Sequence, residues 1–306
     1  MALFELPDIT DIVALALAED LGVSPDAFAP GVVSADLLAR DVTSFSAIGL
    51  DRRYSGRVVA REGAVVAGLP VAAAVFDTLS NAAGLVDPVE AFPLVAEGAR
   101  VKAGTPVLEI EGIAVAVLAA ERTALDFLML LSGIATETAR WVKAAGPDLA
   151  VCDTRKTAPG LRMLSKYAVA VGGGANHRAG LFDMALVKDN HIRSAGGIRA
   201  AVESVQLAHP DILVEVEADT LAQAKEAVEA GADLVLLDNM SDELVEEAVL
   251  AVRELAEQLG RTVLTEASGN ISRDRLPALR TIGVDRVSTS ALTMGVRVVD
   301  FGLDEA

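Results

Sequence analysis

From Leu149 onward one pattern recurs: a short apolar run closes on a polar or charged residue, a turn follows, and then a helical pattern. The runs are LAVCDTRK, MALVKDN, ILVEVEAD, ADLVLLDN, TVLTEASGN and DRVSTSA. Short apolar runs alternating with helices give βα units and a parallel sheet covered on both faces. The helices carry their own punctuation. Thr220 and Gln223 form a capping box ahead of LAQAKEAVEA, which stops at Gly231. Ser241 precedes Asp242 and Glu243, acids suited to a helix N-terminus, and Leu244, Val245, Ala248, Val249, Val252, Leu255 and Leu259 form an apolar stripe ending at Gly260. Six such units predict a β/α barrel, and one that is incomplete, in preference to a doubly wound sheet. No GxGxxG follows the first run, which removes the usual dinucleotide fingerprint.

The first 115 residues follow other rules. ARVKAGTPVLEIEG alternates and turns at glycines as antiparallel strands do, and LPVAAAVFDTL is a helix opened by Pro70. The fold class is therefore α/β: an incomplete (open) β/α barrel over residues 116–289 with an N-terminal α+β sandwich domain over residues 1–115. The tail from about residue 290 to 306 is expected to pack with the N-terminal domain. ERTALDFLMLLSGIATETARWVKAAG is a long apolar helical region joining the two.

Charge is distributed unevenly. The chain has a formal net charge of -18, yet residues 151–193 hold seven Lys or Arg against three Asp. An acidic protein with one basic island is not built to coat a nucleic acid, which needs a broad basic face. MALFELPDITDIVALALAEDLG has no basic leader, no run of eighteen uncharged apolar residues occurs, and the single Cys152 allows neither an intrachain disulfide nor a Cys-rich zinc site. These features fit a reducing cytoplasm, without a membrane partner.

In a βα barrel, chemistry sits at the C-terminal strand ends. The residues there are Arg155 and Lys156, Lys188, Glu217, Asp238, the Ser268-Gly269-Asn270 turn, and Ser290. Arg155, Lys156, Arg178 and Lys188, with His177, could surround a small polyanion, or they could be solvated charges paired with acids. Glu217 and Asp238 could hold Mg²⁺ through water, accept hydrogen bonds from ribose hydroxyls, or form an ion pair that Lys188 would supply. Glu215 shares the face of Glu217 and would be buried with it. TEASGN precedes a helical segment whose first N–H groups could bind phosphate; alternatively Asn270 is simply an N-cap. Cys152, His191 and His209 are poor candidates: the first lies in an apolar run, the last in a loop, and His191 has no evident partner.

DTRKTAPGLR, GGGANHRAGLFDMALVKDNHI, VEVEADTLAQAKEAVEAGADLVLLDNM, ASGNIS, GVDRVSTSALT and ERTALDFLMLLSGIAT together resemble, in order, the signature blocks of the quinolinate phosphoribosyltransferase family. The resemblance implies phosphoribosyl transfer from phosphoribosyl pyrophosphate to quinolinate with loss of CO₂, Mg²⁺ as cofactor, and a homodimer with shared active sites. By the same resemblance, Thr154, Arg155, Lys156, His177, Arg178 and Lys188 would bind the quinolinate carboxylates and nearby phosphate oxygens, and Arg122 would come from the partner subunit. Glu217 and Asp238 would serve the ribose and the Mg²⁺-pyrophosphate. Ser268, Gly269, Asn270, Thr289, Ser290 and Ala291 would hold the 5′-phosphate. The catalytic set would be Lys156, Lys188, Glu217 and Asp238. Two departures stand out: VSPDAFAPGVVSADLLAR lies between EDLG and DVTS where family members run almost directly on, and Ser290 replaces a usual glycine. The competing readings are a molybdenum-transport-associated paralogue and a noncatalytic phosphate-binding barrel; the full set of cations and paired acids favours the quinolinate enzyme.

Overall fold

The computed structural model describes residues 5–306, which form two compact units. The first comprises the chain up to Glu137, Pro159–Gly172 and Val296–Ala306; the second comprises Thr138–Ala158 and Gly173–Gly295. In chain order the elements are α1 (Thr10–Leu21), α2 (Val42–Ala47), β1 (Arg53–Ala60), β2 (Ala64–Val65), α3 (Leu69–Ala82), β3 (Glu90–Pro93), β4 (Arg100–Val101), β5 (Pro106–Ile113), α4 (Ala114–Ala145), β6 (Ala150–Cys152), α5 (Arg162–Val171), β7 (Ala185–Val187), α6 (Asp189–Ala195), α7 (Ile198–Ala208), β8 (Val214–Ala218), α8 (Leu221–Ala230), β9 (Leu234–Asp238), α9 (Asp242–Gln258), β10 (Leu264–Ser268), α10 (Leu276–Ile282), β11 (Arg286–Ser288) and β12 (Phe301–Glu305).

The first unit is α+β. Its main sheet is antiparallel in the order β12-β1-β5-β3, with the C-terminal strand at one edge. Helix α3 opens at Pro70 and buries Leu69, Val71, Val75, Phe76 and Leu79, each burial contributing about 1.5–3 kcal/mol. Helix α4 presents Ser132 and Thr136 to the segment 65–67: the Val65 and Ala67 N–H groups donate to these hydroxyls at 2.8 and 3.0 Å. On α4, a Cβ at Gly133 would sit 2.6 Å from the Arg297 carbonyl and 3.1 Å from Val298 Cα, so glycine is what lets the tail cross the helix.

The boundary between units falls within α4 at residue 137, not at 115, because the same uninterrupted helix supplies residues to both cores. A second difference lies at α5. It occupies the position of the barrel's first helix in sequence, yet with Pro159–Gly172 it belongs to the first unit.

The second unit is the barrel. Its six parallel strands pair in the order β6-β11-β10-β9-β8-β7, the sequence order rotated by one place, which is a barrel with a single open seam between β6 and β7. At that seam Ala175 bridges Cys152, the Ala175 N–H donating to the Val151 carbonyl at 2.8 Å. Thr220 caps α8 as expected, Gly231 ends it in a left-handed turn, and Ser241 caps α9. Leu259, placed in the apolar stripe by its spacing, is exposed because α9 stops at Gln258. No helix among the described residues is long and apolar enough to cross a membrane.

Candidate active site

The period of two along the strands sorts the barrel interior into layers. On β8, Glu215 and Glu217 share a face; so do Glu266 and Ser268 on β10, and Arg286 and Ser288 on β11. The lower layer is ionic. Glu215 and Glu266 are wholly buried, Arg286 Nε lies 2.7 Å from Glu266 Oε2, and His177 Nε2 lies 2.8 Å from Glu215 Oε2 and 3.5 Å from Glu266 Oε1. Burial, and then the Glu215 charge, push the Glu266 carboxyl above the usual carboxylate range. His177, Glu215 and Glu266 offer ligand atoms within 4.8 Å of one another. Arg286 and the imidazole already lie against that pair, so a cation would have to displace them.

Sequence reasoning foresaw Glu215 and missed Glu266 and Arg286. The signal was there: each charge sits in an apolar run two residues before a serine at a strand end.

Above this layer lie two cavities that share Thr154, Lys156, Ser268 and Ser288 as walls. The smaller, about 160 Å³, is lined also by Arg155, His177, Arg178 and Lys188, with Leu186 and Leu236 as its apolar surfaces. Its cations are under-compensated. Arg155 Nε is buried and makes no hydrogen bond. Arg178 is held below the usual arginine value by burial and then by the Arg155 charge. A guanidinium disfavoured by a neighbouring one beside a cavity is an arrangement that suits an anion.

The loop bearing Arg178 is pinned at both ends. Wholly buried Asp153 accepts from Asn176 Nδ2 at 2.6 Å and from the His177 N–H at 2.9 Å. Asp183 accepts from the Ala179 and Gly180 N–H groups at 2.7 and 2.9 Å.

The basic island therefore divides. Arg155, Lys156, Arg178 and Lys188 converge; Arg193 is exposed and pairs with Asp189 at 3.2 Å, and Arg162 and the buried Lys166 lie on α5 in the first unit. His191 does have a partner: its Nδ1 accepts from the Lys188 N–H at 2.9 Å, closing a capping box at the start of α6. Cys152 is buried and burial pushes its thiol up to about 12.

The larger cavity, about 460 Å³, is walled by Ser268, Gly269, Asn270, Thr289, Ser290 and Ala291, with Lys156 between it and the smaller one. Gly269 and Asn270 are both left-handed, at φ 82° and 47°. Asn270 is not a helix N-cap, because the next α-helix starts only at Leu276; its Nδ2 donates to Asn239 Oδ1 at 3.3 Å. The turn itself, rather than a helix start, forms a backbone concavity of the kind that receives anions. Across the cavity, Thr289 Oγ1 accepts from the Ala291 N–H at 3.2 Å, and Thr293 Oγ1 donates to the Lys156 carbonyl at 2.7 Å.

Glu217 and Asp238 end the neighbouring strands β8 and β9 and line neither cavity. Glu217 is ion-paired with Lys188, one of the alternatives open from sequence, and Asp238 accepts from Asn239 Nδ2 at 2.6 Å. Neither belongs to a three-ligand cluster among the described residues. One or two carboxylates without a closed cage suit Mg²⁺, which keeps waters and takes phosphate oxygens.

Arg122 belongs to the first unit, where it is exposed on α4, 3.4 Å from Asp126, in a pocket with Leu15, Glu19 and Asp20.

Comparison with known proteins decides the family. Residues 41–132 match the N-terminal domain of quinolinate phosphoribosyl transferase, and residues 134–304 match its C-terminal domain. The chain belongs to the quinolinate phosphoribosyltransferase family. It is 40% identical to the nicotinate-nucleotide pyrophosphorylase (carboxylating) of Mycobacterium leprae (strain TN) over 86% of this chain and 90% of that one. It is 36% identical to the probable enzyme of the same name from Bacillus subtilis (strain 168), covering 88% and 89%. The nicotinate-nucleotide pyrophosphorylase structure from Francisella tularensis superimposes with a TM-score of 0.84 at 35% identity, covering 99% of both chains. The activity of the family is thus that of this chain: a pentosyltransferase making nicotinate mononucleotide from quinolinate with decarboxylation, in NAD biosynthesis.

Proposed function

We propose that the two cavities divide the substrates, quinolinate taking the smaller and the phosphorylated sugar the larger. The observation that carries this is the pair Arg155 and Arg178, a buried guanidinium N–H without a partner beside a second guanidinium destabilised by it, around a space of about 160 Å³. A pyridine dicarboxylate supplies two anions and a flat ring that fits between Leu186 and Leu236. Arg155, Arg178 and Lys188 would hold its carboxylates, and Lys156 would bridge to the sugar phosphate. Ser268, Gly269, Asn270, Thr289, Ser290 and Ala291 would receive the 5′-phosphate.

Held in this way, the pyridine nitrogen attacks the anomeric carbon as pyrophosphate leaves. Glu217 and Asp238, beside the ribose, stabilise the positive charge that develops on the sugar. Mg²⁺, held by the same two carboxylates with water, would neutralise the leaving pyrophosphate. Once the ring nitrogen is alkylated, the carboxylate next to it leaves as CO₂ because the ring cation stabilises the resulting carbanion. For Glu217 to serve the ribose, Lys188 must turn from it to the quinolinate carboxylate, so substrate binding itself frees the acid.

The active form in this reading is a cytoplasmic homodimer in which Arg122 of each subunit completes the partner's site. Its exposure and its weak i,i+4 pairing leave it available for that use. Mixing Arg122→Ala with Lys188→Ala protein tests it. Random reassociation makes half the dimers mixed, each with one intact site, so activity should recover to about a quarter of wild type. No recovery in confirmed mixed dimers counts against shared sites.

A further inference from the structure

The open seam of the barrel separates the cations of the smaller cavity. Arg155 and Lys156 follow β6 on one side of the seam, and Arg178 lies in the loop that leads into β7 on the other. Strand pairing joins these two segments for one step only. Cys152 bridges Ala175 in parallel, with the Ala175 N–H donating to the Val151 carbonyl at 2.8 Å and the Asp153 N–H to the Ala175 carbonyl at 3.2 Å. The next rung of a parallel ladder would send the His177 N–H to the Asp153 carbonyl. The Asp153 side chain takes that rung instead: Oδ1 accepts the His177 N–H at 2.9 Å, and Oδ2 accepts from Asn176 Nδ2 at 2.6 Å. A side chain reaching across in place of a carbonyl leaves the main chains free to separate. Just beyond this rung Thr154, Arg155, His177 and Arg178 line the cavity.

We infer that Asp153 is a positioning residue: its carboxylate is the rung that holds the strand end bearing Arg155 and the loop bearing Arg178 at the separation that the two substrate carboxylates need. Both arginines hang directly on it. On one side the Lys156 N–H donates to Thr154 Oγ1 at 3.0 Å, a turn that closes over Arg155. On the other, Arg178 follows His177, and its N–H donates to His177 Nδ1 at 2.9 Å. The Arg155 charge disfavours that of Arg178, so the pair needs an outside support to stay together around the cavity. Asp153 is wholly buried, a placement that costs free energy unless its oxygens are hydrogen-bonded, as they are here by the loop. It lines neither cavity, so it acts on substrate only through the segments it joins. This rests on the reading of the smaller cavity as the quinolinate site.

The test pairs isothermal titration of the intact protein with quinolinate, which gives Kd without turnover, with the phosphoribosyl pyrophosphate KM at saturating quinolinate. Asp153→Ala loses both hydrogen bonds of the rung, so the quinolinate Kd should rise about tenfold or more while the phosphoribosyl pyrophosphate KM stays within about twofold. Asp153→Asn should recover most of that loss, because its oxygen can still accept the His177 N–H and the Asn176 amide can turn to accept from the new NH₂. Asn176→Ala keeps the buried acid and so guards against a folding defect in the first variant; with one arm of the rung gone, it should raise the quinolinate Kd about threefold. Equal weakening of both ligands in Asp153→Ala, an asparagine variant as damaged as the alanine one, or an unchanged quinolinate Kd in Asn176→Ala would each overturn the inference. Wild-type protein that does not bind quinolinate would instead overturn the assignment of the cavity, and the inference with it.

Discussion

Gly269→Ala perturbs the phosphate turn with one added methyl. The residue has φ of 82°, where an alanine costs about 1–2 kcal/mol. The new Cβ would lie 2.9 Å from the Asn239 backbone nitrogen and would also strike the Asn239 side chain, whose contacts with Asp238 and Asn270 would have to break. Losing one of those hydrogen bonds adds about 1 kcal/mol, for a total near 2–3 kcal/mol. If the turn relieves this by leaving the shape proposed to receive the phosphate, phosphoribosyl pyrophosphate binding weakens by about 30- to 150-fold. Steady-state titration of each substrate against saturating partner, with thermal unfolding alongside, reads both parts. The account expects the phosphoribosyl pyrophosphate KM to rise by that order, the quinolinate KM to stay within twofold, and Tm to fall by a few degrees. An unchanged phosphoribosyl pyrophosphate KM together with a clear fall in Tm would refute the assignment of this turn to the phosphate.

Arg286→Met leaves Glu215 and Glu266 buried without their fixed counter-charge, so stability should fall by about 3–5 kcal/mol in denaturant titration; a loss under 1 kcal/mol would mean that the acids do not need it. Asp41 caps α2, and although burial works against its charge, hydrogen bonds from Ser44 and Thr43 hold its carboxyl below the usual range. Its folded value lies below the unfolded one, so its contribution is present above about pH 4 and is lost as pH falls through the folded value. Asp41→Ala should therefore cost about 0.5–1 kcal/mol at pH 7, the low end because solvent reaches the carboxylate, and the gap to wild type should close in acid. With its thiol pushed up to about 12, Cys152 should resist iodoacetamide at pH 8 in the native protein and react once denatured; rapid native labelling would contradict its burial.

Much of the barrel is legible because each strand ends where an apolar run meets a polar residue. Those ends at Lys156, Lys188, Asp238 and Ser268 are where the cavities and their rim lie. What spacing does not disclose is which unit a segment joins. Arg162 and Lys166 read as part of one basic stretch with Arg155 and Arg178, yet a helix between two strands can cover either core, and α5 went with the first unit. Likewise α4 looks like a boundary in sequence, but a continuous helix can serve two cores, so the division falls inside it. The Ser268-Gly269-Asn270 turn reads in sequence as the start of a helix whose first N–H groups could bind phosphate, and the structure has no helix start there. The left-handed turn supplies the concavity, since the helix it was thought to open begins six residues later than Asn270. Glu266 and Arg286 were readable from their period-two spacing to Ser268 and Ser288, but nothing in sequence says that two buried acids would meet one arginine and a histidine.

The measurement that bears most directly on the central claim is product analysis with quinolinate labelled in the carboxylate next to the ring nitrogen, together with phosphoribosyl pyrophosphate and Mg²⁺. The account predicts nicotinate mononucleotide and labelled CO₂ in equal amounts, and neither when any one component is left out. Turnover of another pyridine or base with no product from quinolinate would contradict it, while leaving the fold and the anion cavities intact.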